Sequence, residues 1–390
     1  MKTASLKVGF MPLVDAAPLI AAQEMGFAAN EGIHLDLTRA PSWSGLRDQV
    51  SFGQVDAAHM LSTVPIATAL GFGGPVKIVS IANLSVNGNV IGISRKLAKT
   101  LRDQGFEFGF DDAWAAGRAL LRNIGSVFRI GVPFPFSMHA ELVYYWLNAI
   151  GFQAPQGVEI RTVPPPLMAD ALKAGEIDAF CVGEPWGSKA VENGVGELLL
   201  PCKAIWAFAP EKVLAVREDW ALSEGAMRDR LIRAVWRAGQ WLANPSSRTV
   251  AAELLSRPRY LDLPSDIDDR ALTGRFVISP GGDMRSVPEF VEFHAGAASF
   301  PWRSQAEWIG RQQAAWLGLD RTAAVRAAQQ ANRTDLFRGA LEGIRANLPG
   351  ASSKIEGAIE ADTVVGSDHG KLILKRDVFF DGRKFEPSPA

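Results

Sequence analysis

The chain has 390 residues, 47% of them hydrophobic and 21% charged, with a formal net charge of −1. That length supplies roughly two or three folding units with ample core. The near-neutral balance excludes a broad electrostatic footprint for nucleic acid or a membrane surface, so any anion it captures must be held by a few donors inside a cleft.

The first ten residues lead directly into an apolar strand, with no basic n-region, long apolar stretch or small-residue cleavage site, which predicts a cytoplasmic protein. No uninterrupted apolar run approaches the roughly 18 residues of a membrane-spanning helix. A β-α-β-α rhythm follows, with strands expected at Leu6–Phe10, His34–Thr38, Asp56–Met60, Val76–Ile81 and Val90–Ser94. The clearest helices between them are Ala17–Phe27 and Ser44–Phe52, and Gly26, Gly32, Gly53 and Gly73 fall where helices should stop. This is the pattern of a doubly wound α/β sheet.

A second series runs from Arg129 to Leu200, with strands expected at Arg129–Val132, Glu159–Val163 and Asp178–Val182. It contains an echo of the first: Gly53-Gln54-Val55-Asp56-Ala57-Ala58 matches Gly175-Glu176-Ile177-Asp178-Ala179-Phe180, each after a helix-like segment. Recurrence at one helix-turn-strand position predicts two lobes built alike, although the same spacing also serves as an ordinary helix-to-strand turn. Beyond Arg217 the pattern turns helical, most clearly at Met227–Asn244, Val287–Phe293, Ala306–Trp316 and Thr322–Gln330. Periodicity fades after Asn347, and the aromatic tail Asp377 to Phe385 is expected to pack as an arm across a lobe. Cys181 and Cys202 lie in apolar surroundings and are read as unpaired.

No nucleophile elbow, phosphate-binding loop, paired-cysteine motif or zinc-protease motif occurs, and His34, His59, His139, His294 and His369 are scattered. The expectation is therefore a protein that is not an enzyme and carries no cofactor or metal. Attention falls instead on donor-rich loops at strand ends, where doubly wound folds place ligands. Four stand out: Ala40 to Ser44, Asn87-Gly88-Asn89, Pro133 to His139, and Val182 to Trp186.

These loops, with Asp15-Ala16-Ala17-Pro18-Leu19-Ile20, Trp43 to Asp48, Asp178 to Trp186, and Pro210-Glu211-Lys212 to Trp220, carry a specific resemblance. The chain resembles the nitrate-binding and bicarbonate-binding receptors of cyanobacterial importers and the NasS family of cytoplasmic nitrate/nitrite sensors related to them. The resemblance implies a two-lobed fold of the type II periplasmic-binding-protein kind, with doubly wound sheets joined by a two-crossover hinge. Residues 1–94 and 213–390 would form one lobe and 95–212 the other. It also implies ligand contacts at Trp43, His139, Gly183 and Lys212. Where the nitrate receptors have a glutamine, this chain has Asn89, one methylene shorter.

The chemistry of these residues suits such a ligand. Nitrate is planar and only accepts hydrogen bonds, so its site needs donors and should keep carboxylates turned away. Trp43 offers an indole N–H, Asn89 an amide, His139 an imidazole, Gly183 a backbone N–H and Lys212 the compensating charge; Glu184 and Trp186 are read as structural. The bicarbonate receptors, by the same resemblance, place a carboxylate near the Lys212 position and recruit calcium, which a lysine would repel. Nitrate or nitrite is therefore the expected ligand. Resemblance to the sensors further implies an RNA-binding antiterminator of the ANTAR type, NasT-like, held while ligand-free and released on binding. The competing expectations are an exported receptor of an importer and an enzyme resembling the pyrimidine-forming proteins of thiamine synthesis, the latter disfavoured by the two isolated cysteines.

Overall fold

A computed structural model describes residues 4–125 and 127–388. Ten strands build its two main sheets: β1 (Ala4–Phe10), β2 (Ile33–Arg39), β3 (Ala57–Leu61), β4 (Ile78–Asn87), β5 (Asn89–Ser94), β6 (Arg129–Val132), β7 (Glu159–Thr162), β8 (Ala179–Gly183), β9 (Gly196–Pro201) and β10 (Pro210–Arg217). The first sheet runs β4-β10-β3-β1-β2, with the short strand Val291–Glu292 added outside β4, and the second runs β7-β6-β8-β5-β9. Every residue of β3, β4 and β8 is buried. Their mostly apolar sequences suit strands covered on both faces, with His59 of β3 and the Ser and Asn residues of β4 buried among them.

The two sheets have the same plan. In each, a parallel trio at one edge (β2-β1-β3 and β7-β6-β8) is followed by an antiparallel strand, β10 in the first and β5 in the second. The sequence echo marks equivalent points of these trios. Gly53 and Gly175 both take positive φ, +65° and +71°, at helix ends. The Asp56 carboxylate then accepts the Lys7 backbone N–H at 2.8 Å, and Asp178 accepts that of Arg129 at 3.1 Å. In both lobes the aspartate fastens its own strand to the parallel neighbour.

The chain crosses between sheets earlier than expected. β4 ends at Asn87 in the first sheet and β5 starts at Asn89 in the second, so the crossing is at Gly88 (φ +104°) and not at Ser94. The return also comes earlier, because β10, including Lys212, already belongs to the first sheet. Asn87 ties the two crossings together: its side-chain amide donates to the Ala207 carbonyl at 2.8 Å and accepts from the Ala209 N–H at 3.2 Å. Part of the region after residue 213 attaches to the second sheet. Leu198 N–H donates to the Ile278 carbonyl at 2.8 Å, and Arg102 pairs with Asp283 at 2.7 Å.

Val287–Phe293 is a turn, with Glu289 at φ +54°, followed by the two-residue strand Val291–Glu292 rather than a helix, because Phe290 packs edge-on against Phe276 at 4.6 Å and Val291 pairs with Asn87 of β4. After Asn347 the chain forms an exposed hairpin, Thr363–Ser367 with Gly370–Leu374. The aromatic tail then docks on the return crossing: Ala207 N–H donates to the Val378 carbonyl, Phe380 N–H donates to the Ile205 carbonyl, each at 2.9 Å, and Phe379 lies 4.7 Å from Trp206, ring to ring. A buried ion network secures it. Lys354 contacts Glu356 and Asp377, while Ser304 donates to Glu356 and Trp206 to Asp377, both at 2.6 Å.

Helix Arg303–Leu317 touches both lobes. It packs on helix Thr63–Ala69 of the first. Against helix Met138–Ala149 of the second, its Trp316 indole donates to Glu141 at 3.1 Å and Trp308 meets Tyr145 at 5.8 Å between centroids. Direct polar links also join the lobes. Val14 N–H donates to the Glu184 carbonyl at 2.9 Å, the Trp186 indole to the Pro12 carbonyl at 2.8 Å, and Thr63 Oγ1 to the Phe136 carbonyl at 2.6 Å.

Candidate ligand-binding site

Four of the five residues singled out by sequence sit at or next to an element end, and Lys212 lies inside a strand. Trp43 opens helix Trp43–Ser51, whose first turn is capped by Ser42 accepting from the Gly45 N–H at 3.1 Å. His139 is the second residue of helix Met138–Ala149, where Ser137 caps by accepting from the Ala140 N–H at 3.2 Å. Asn89 begins β5 directly after the Gly88 turn, and it pairs in register with Gly183, the last residue of β8. Lys212 lies on β10, between Leu61 of β3 and Ser85 of β4.

A bulge in β10 explains why Lys212 and its neighbour share a site. Successive side chains of a regular strand point to opposite faces. Here Pro210 pairs with Val86 and Lys212 with Ser85, which leaves Glu211 as an extra residue in the ladder. The local turn of the strand lets Lys212 Nζ donate to Glu211 Oε1 at 2.7 Å.

The structure brings all five residues into one buried cluster. Lys212 Nζ lies 2.8 Å from Asp15 Oδ2 and 5.6 Å from the centre of the Trp43 ring. His139 Nδ1 is 3.5 Å from Glu211 Oε1. A Cβ on Gly183 would stand 2.5 Å from Leu13 Cδ2, 3.3 Å from Asn89 Oδ1 and 3.8 Å from Asp15 Oδ2, so only glycine fits where the second lobe closes on the first. His59 completes the group, with Nε2 2.9 Å from Asp15 Oδ1 and Nδ1 accepting the Met11 N–H at 3.4 Å.

The expectation that carboxylates stay out of this cleft is wrong, because Asp15 and Glu211 both point in. The reason is the lysine, which is fully buried and would be strongly destabilised in the folded state without counter-charge. Burial alone would raise the Asp15 carboxyl, yet Lys212 and His59 beside it hold it down at about 2. Burial raises Glu211, with Lys212 and the Asn89 side chain opposing. His139 is pushed well below the usual histidine range by burial and by Lys212, and His59 is lowered by burial. Against burial, the two carboxylates raise Lys212. The cluster is thus a cation, a fixed aspartate, two neutral imidazoles and one titratable glutamate.

Around that centre, Trp43 Nε1, Asn89 Nδ2 and both ring nitrogens of His139 are buried without a hydrogen-bond partner, as is Glu211 Oε2. Buried polar groups are normally paired. Several orphan donors converging on one lysine are suited to a small ligand that accepts hydrogen bonds. Trp186 serves a different purpose, linking lobes through Pro12. It also helps line, with Pro12, Arg39, Ala40, Pro41 and Pro166, a cavity of about 440 Å³ at the lobe interface. Asp15, His59 and Glu211 received no role from sequence. Their signals were visible only as company: Asp15 opens the Asp-Ala-Ala-Pro segment and Glu211 stands beside Lys212 in Pro-Glu-Lys.

A closed pair of α/β lobes with one polar cluster between them defines a periplasmic-binding-protein-like receptor. Residues 1–256 match the NMT1-like family, and the chain belongs to it. It is 29% identical over 402 residues to the nitrate/nitrite binding protein NrtA of Nostoc sp., covering 99% of this chain and 84% of that one. The crystal structure of the periplasmic nitrate-binding protein NrtA from Synechocystis superposes with a TM-score of 0.84 at 26% identity, covering 99% of this chain and 96% of that one. The bicarbonate transport ATP-binding protein CmpC of Synechococcus elongatus is 35% identical over 316 residues, which is 80% of this chain but 45% of CmpC. The nitrate import ATP-binding protein NrtC of Synechocystis is 31% identical over 85% of this chain and 49% of its own length. The chain thus spans about half the length of these ATP-binding relatives. The relatives it matches almost end to end are binding proteins, and this chain is likewise a binding protein rather than an enzyme.

Proposed function

We propose that the chain is a receptor for a small planar oxyanion, nitrate or nitrite first, enclosed between its lobes. The observation that carries this is the set of unpartnered buried N–H groups of Trp43, Asn89 and His139 around Lys212. Nitrate only accepts hydrogen bonds, which suits these donors, and the two charges of sulfate would weigh more heavily than one on a cluster whose lysine is already paired with Asp15. The NrtA relatives are named as nitrate or nitrite binding proteins, which agrees with the chemistry.

Bicarbonate is the second reading, favoured by one atom. It carries an O–H, and the unpartnered Glu211 Oε2 could accept it; the CmpC relatives are named for bicarbonate transport. Lys212 weighs against a bicarbonate site assisted by a divalent cation. Calorimetry against nitrate, nitrite, sulfate and bicarbonate, the last with and without calcium, decides. Binding of nitrate or nitrite alone supports the proposal, and a calcium-dependent bicarbonate response with none to nitrate overturns it.

The finer reading is that of a cytoplasmic sensor that holds an ANTAR-type RNA-binding antiterminator when empty and releases it on ligand binding. It rests on the resemblance to the NasS sensors. Delivery of the anion to an importer is the rival use of the same receptor, and the import and transport names of the NrtC and CmpC relatives favour that rival. Reciprocity of linkage sets the requirement: if nitrate weakens the partner 100-fold, the partner weakens nitrate equally, a coupling of about 2.7 kcal/mol. Size-exclusion chromatography of this chain mixed with a NasT-like protein, with and without millimolar nitrate, tests it. A complex that survives saturating nitrate, or never forms, returns the importer reading to first place.

A further inference from the structure

We propose that Glu211 sets the charge of the cleft and takes up a proton as the anion enters, so that binding and protonation are one event. The inference rests on the anion-receptor reading and concerns how the same site accommodates charge.

Lys212 brings one positive charge, and Asp15 already matches it at 2.8 Å. With Glu211 ionised, the empty cluster therefore carries one excess negative charge, and a monoanion would add a second inside a fully buried enclosure. Repulsion at such range is strong because little water screens it. Protonating one group as the anion enters removes the excess.

The groups facing the site from each element leave few candidates. Asp15, on the turn Val14–Ala16, is gripped by Lys212 and His59 and stays ionised down to about 2. His59, on β3, already uses both nitrogens, one beside Asp15 and one accepting from Met11. Cys181, on β8, lies with its sulfur 3.4 Å from that of Cys202. Lys212 is already a cation. His139, on helix Met138–Ala149, is pressed toward neutrality by burial and by Lys212. Glu211 remains. Burial and Asp15 raise it, Lys212 and the nearby Asn89 side chain oppose, and its Oε2 makes no well-formed hydrogen bond. A proton on Oε2 would convert an acceptor that repels nitrate into a further donor for it.

The linkage is specific. One proton bound with each anion makes Kd rise about tenfold per pH unit above the Glu211 titration. Calorimetry with nitrate from about pH 6 to pH 9.5, repeated in buffers of contrasting ionisation enthalpy, should show close to one proton taken up per nitrate at the alkaline end. Glu211→Gln should flatten the pH profile and bind nitrate at least tenfold tighter than the parent at about pH 9. Nitrate binding by the parent with no proton uptake and no pH dependence overturns the proposal while leaving the receptor reading intact. A slope that persists in a folded Glu211→Gln variant moves the proton elsewhere and equally overturns it. If nitrate fails to bind at any pH, the nitrate-receptor reading falls first. Should Glu211→Gln fold poorly, the buffer series on the parent chain decides alone.

Discussion

Lys354 lies between Glu356 and Asp377 much as Lys212 lies between Asp15 and Glu211, and both lysines are buried. Around Lys354 the carboxylate oxygens are all partnered, and one indole N–H, that of Trp302 with its ring centre 5.6 Å from the lysine, is left over. Ser304 and Trp206 donate to the carboxylate oxygens that the lysine leaves free. Around Lys212, an indole, an amide and an imidazole surround the ion group without partners. A buried ion pair by itself therefore says nothing of function. What separates a fastening from a binding site is the set of neighbours with hydrogen-bonding capacity unspent.

The comparison can be broken by mutating each side in turn. Lys354→Met strands two carboxylates in the core and should cost about 3–5 kcal/mol of stability, seen as a lowered denaturation midpoint, while the folded fraction keeps its nitrate affinity. A variant that melts like the parent would show that the network fastens nothing. Lys212→Met should cost about 2–5 kcal/mol of nitrate binding, since it removes the charge partner. A folded Lys212→Met that binds within threefold of the parent removes lysine from the site.

The two indoles sharpen it further. Trp43→Phe deletes a donor that the empty protein leaves unused. It should weaken nitrate by about 1.5–3 kcal/mol, the worth of a hydrogen bond to a charged group, without lowering the stability of the ligand-free protein. Trp206→Phe should do the reverse, losing about 1–3 kcal/mol of stability by leaving Asp377 short of a donor while calorimetry shows unchanged nitrate binding. If both variants behave alike, unspent donors do not separate a binding site from a fastening in this protein. The smallest effect belongs to Asn89→Gln. The longer amide should keep nitrate affinity within about tenfold, or 1.4 kcal/mol, and a larger loss in titration would show a pocket fitted to the shorter side chain.

Much of the architecture was legible because buried parallel strands are short apolar runs between helical stretches, and Asp56 and Asp178 marked the repeated turn. Trp43, Asn89, His139 and Gly183 lie in conspicuous loops, whereas Lys212, inside β10, was legible only through the resemblance carried by Pro210 to Trp220. Asp15 and Glu211 could not be read, since a carboxylate's role here depends on a lysine that long-range strand pairing or a single bulge brings beside it. The bulge itself has no sequence signature in Pro210-Glu211-Lys212. Val287–Phe293 misled for a similar reason, its apolar spacing being satisfied by Phe276 and β4 instead of by a helix face. The hairpin after Asn347 is half exposed, so burial left little pattern on its residues.

Helix Arg303–Leu317 has a consequence for kinetics. Any rotation of one lobe against the other must slide the contacts of Trp316 and Trp308 with Glu141 and Tyr145, and helix Met138–Ala149, which bears those partners, also carries His139. If the anion enters by such a rotation, replacing Trp316 with phenylalanine is expected to change the exchange rate while leaving the donors of the site in place.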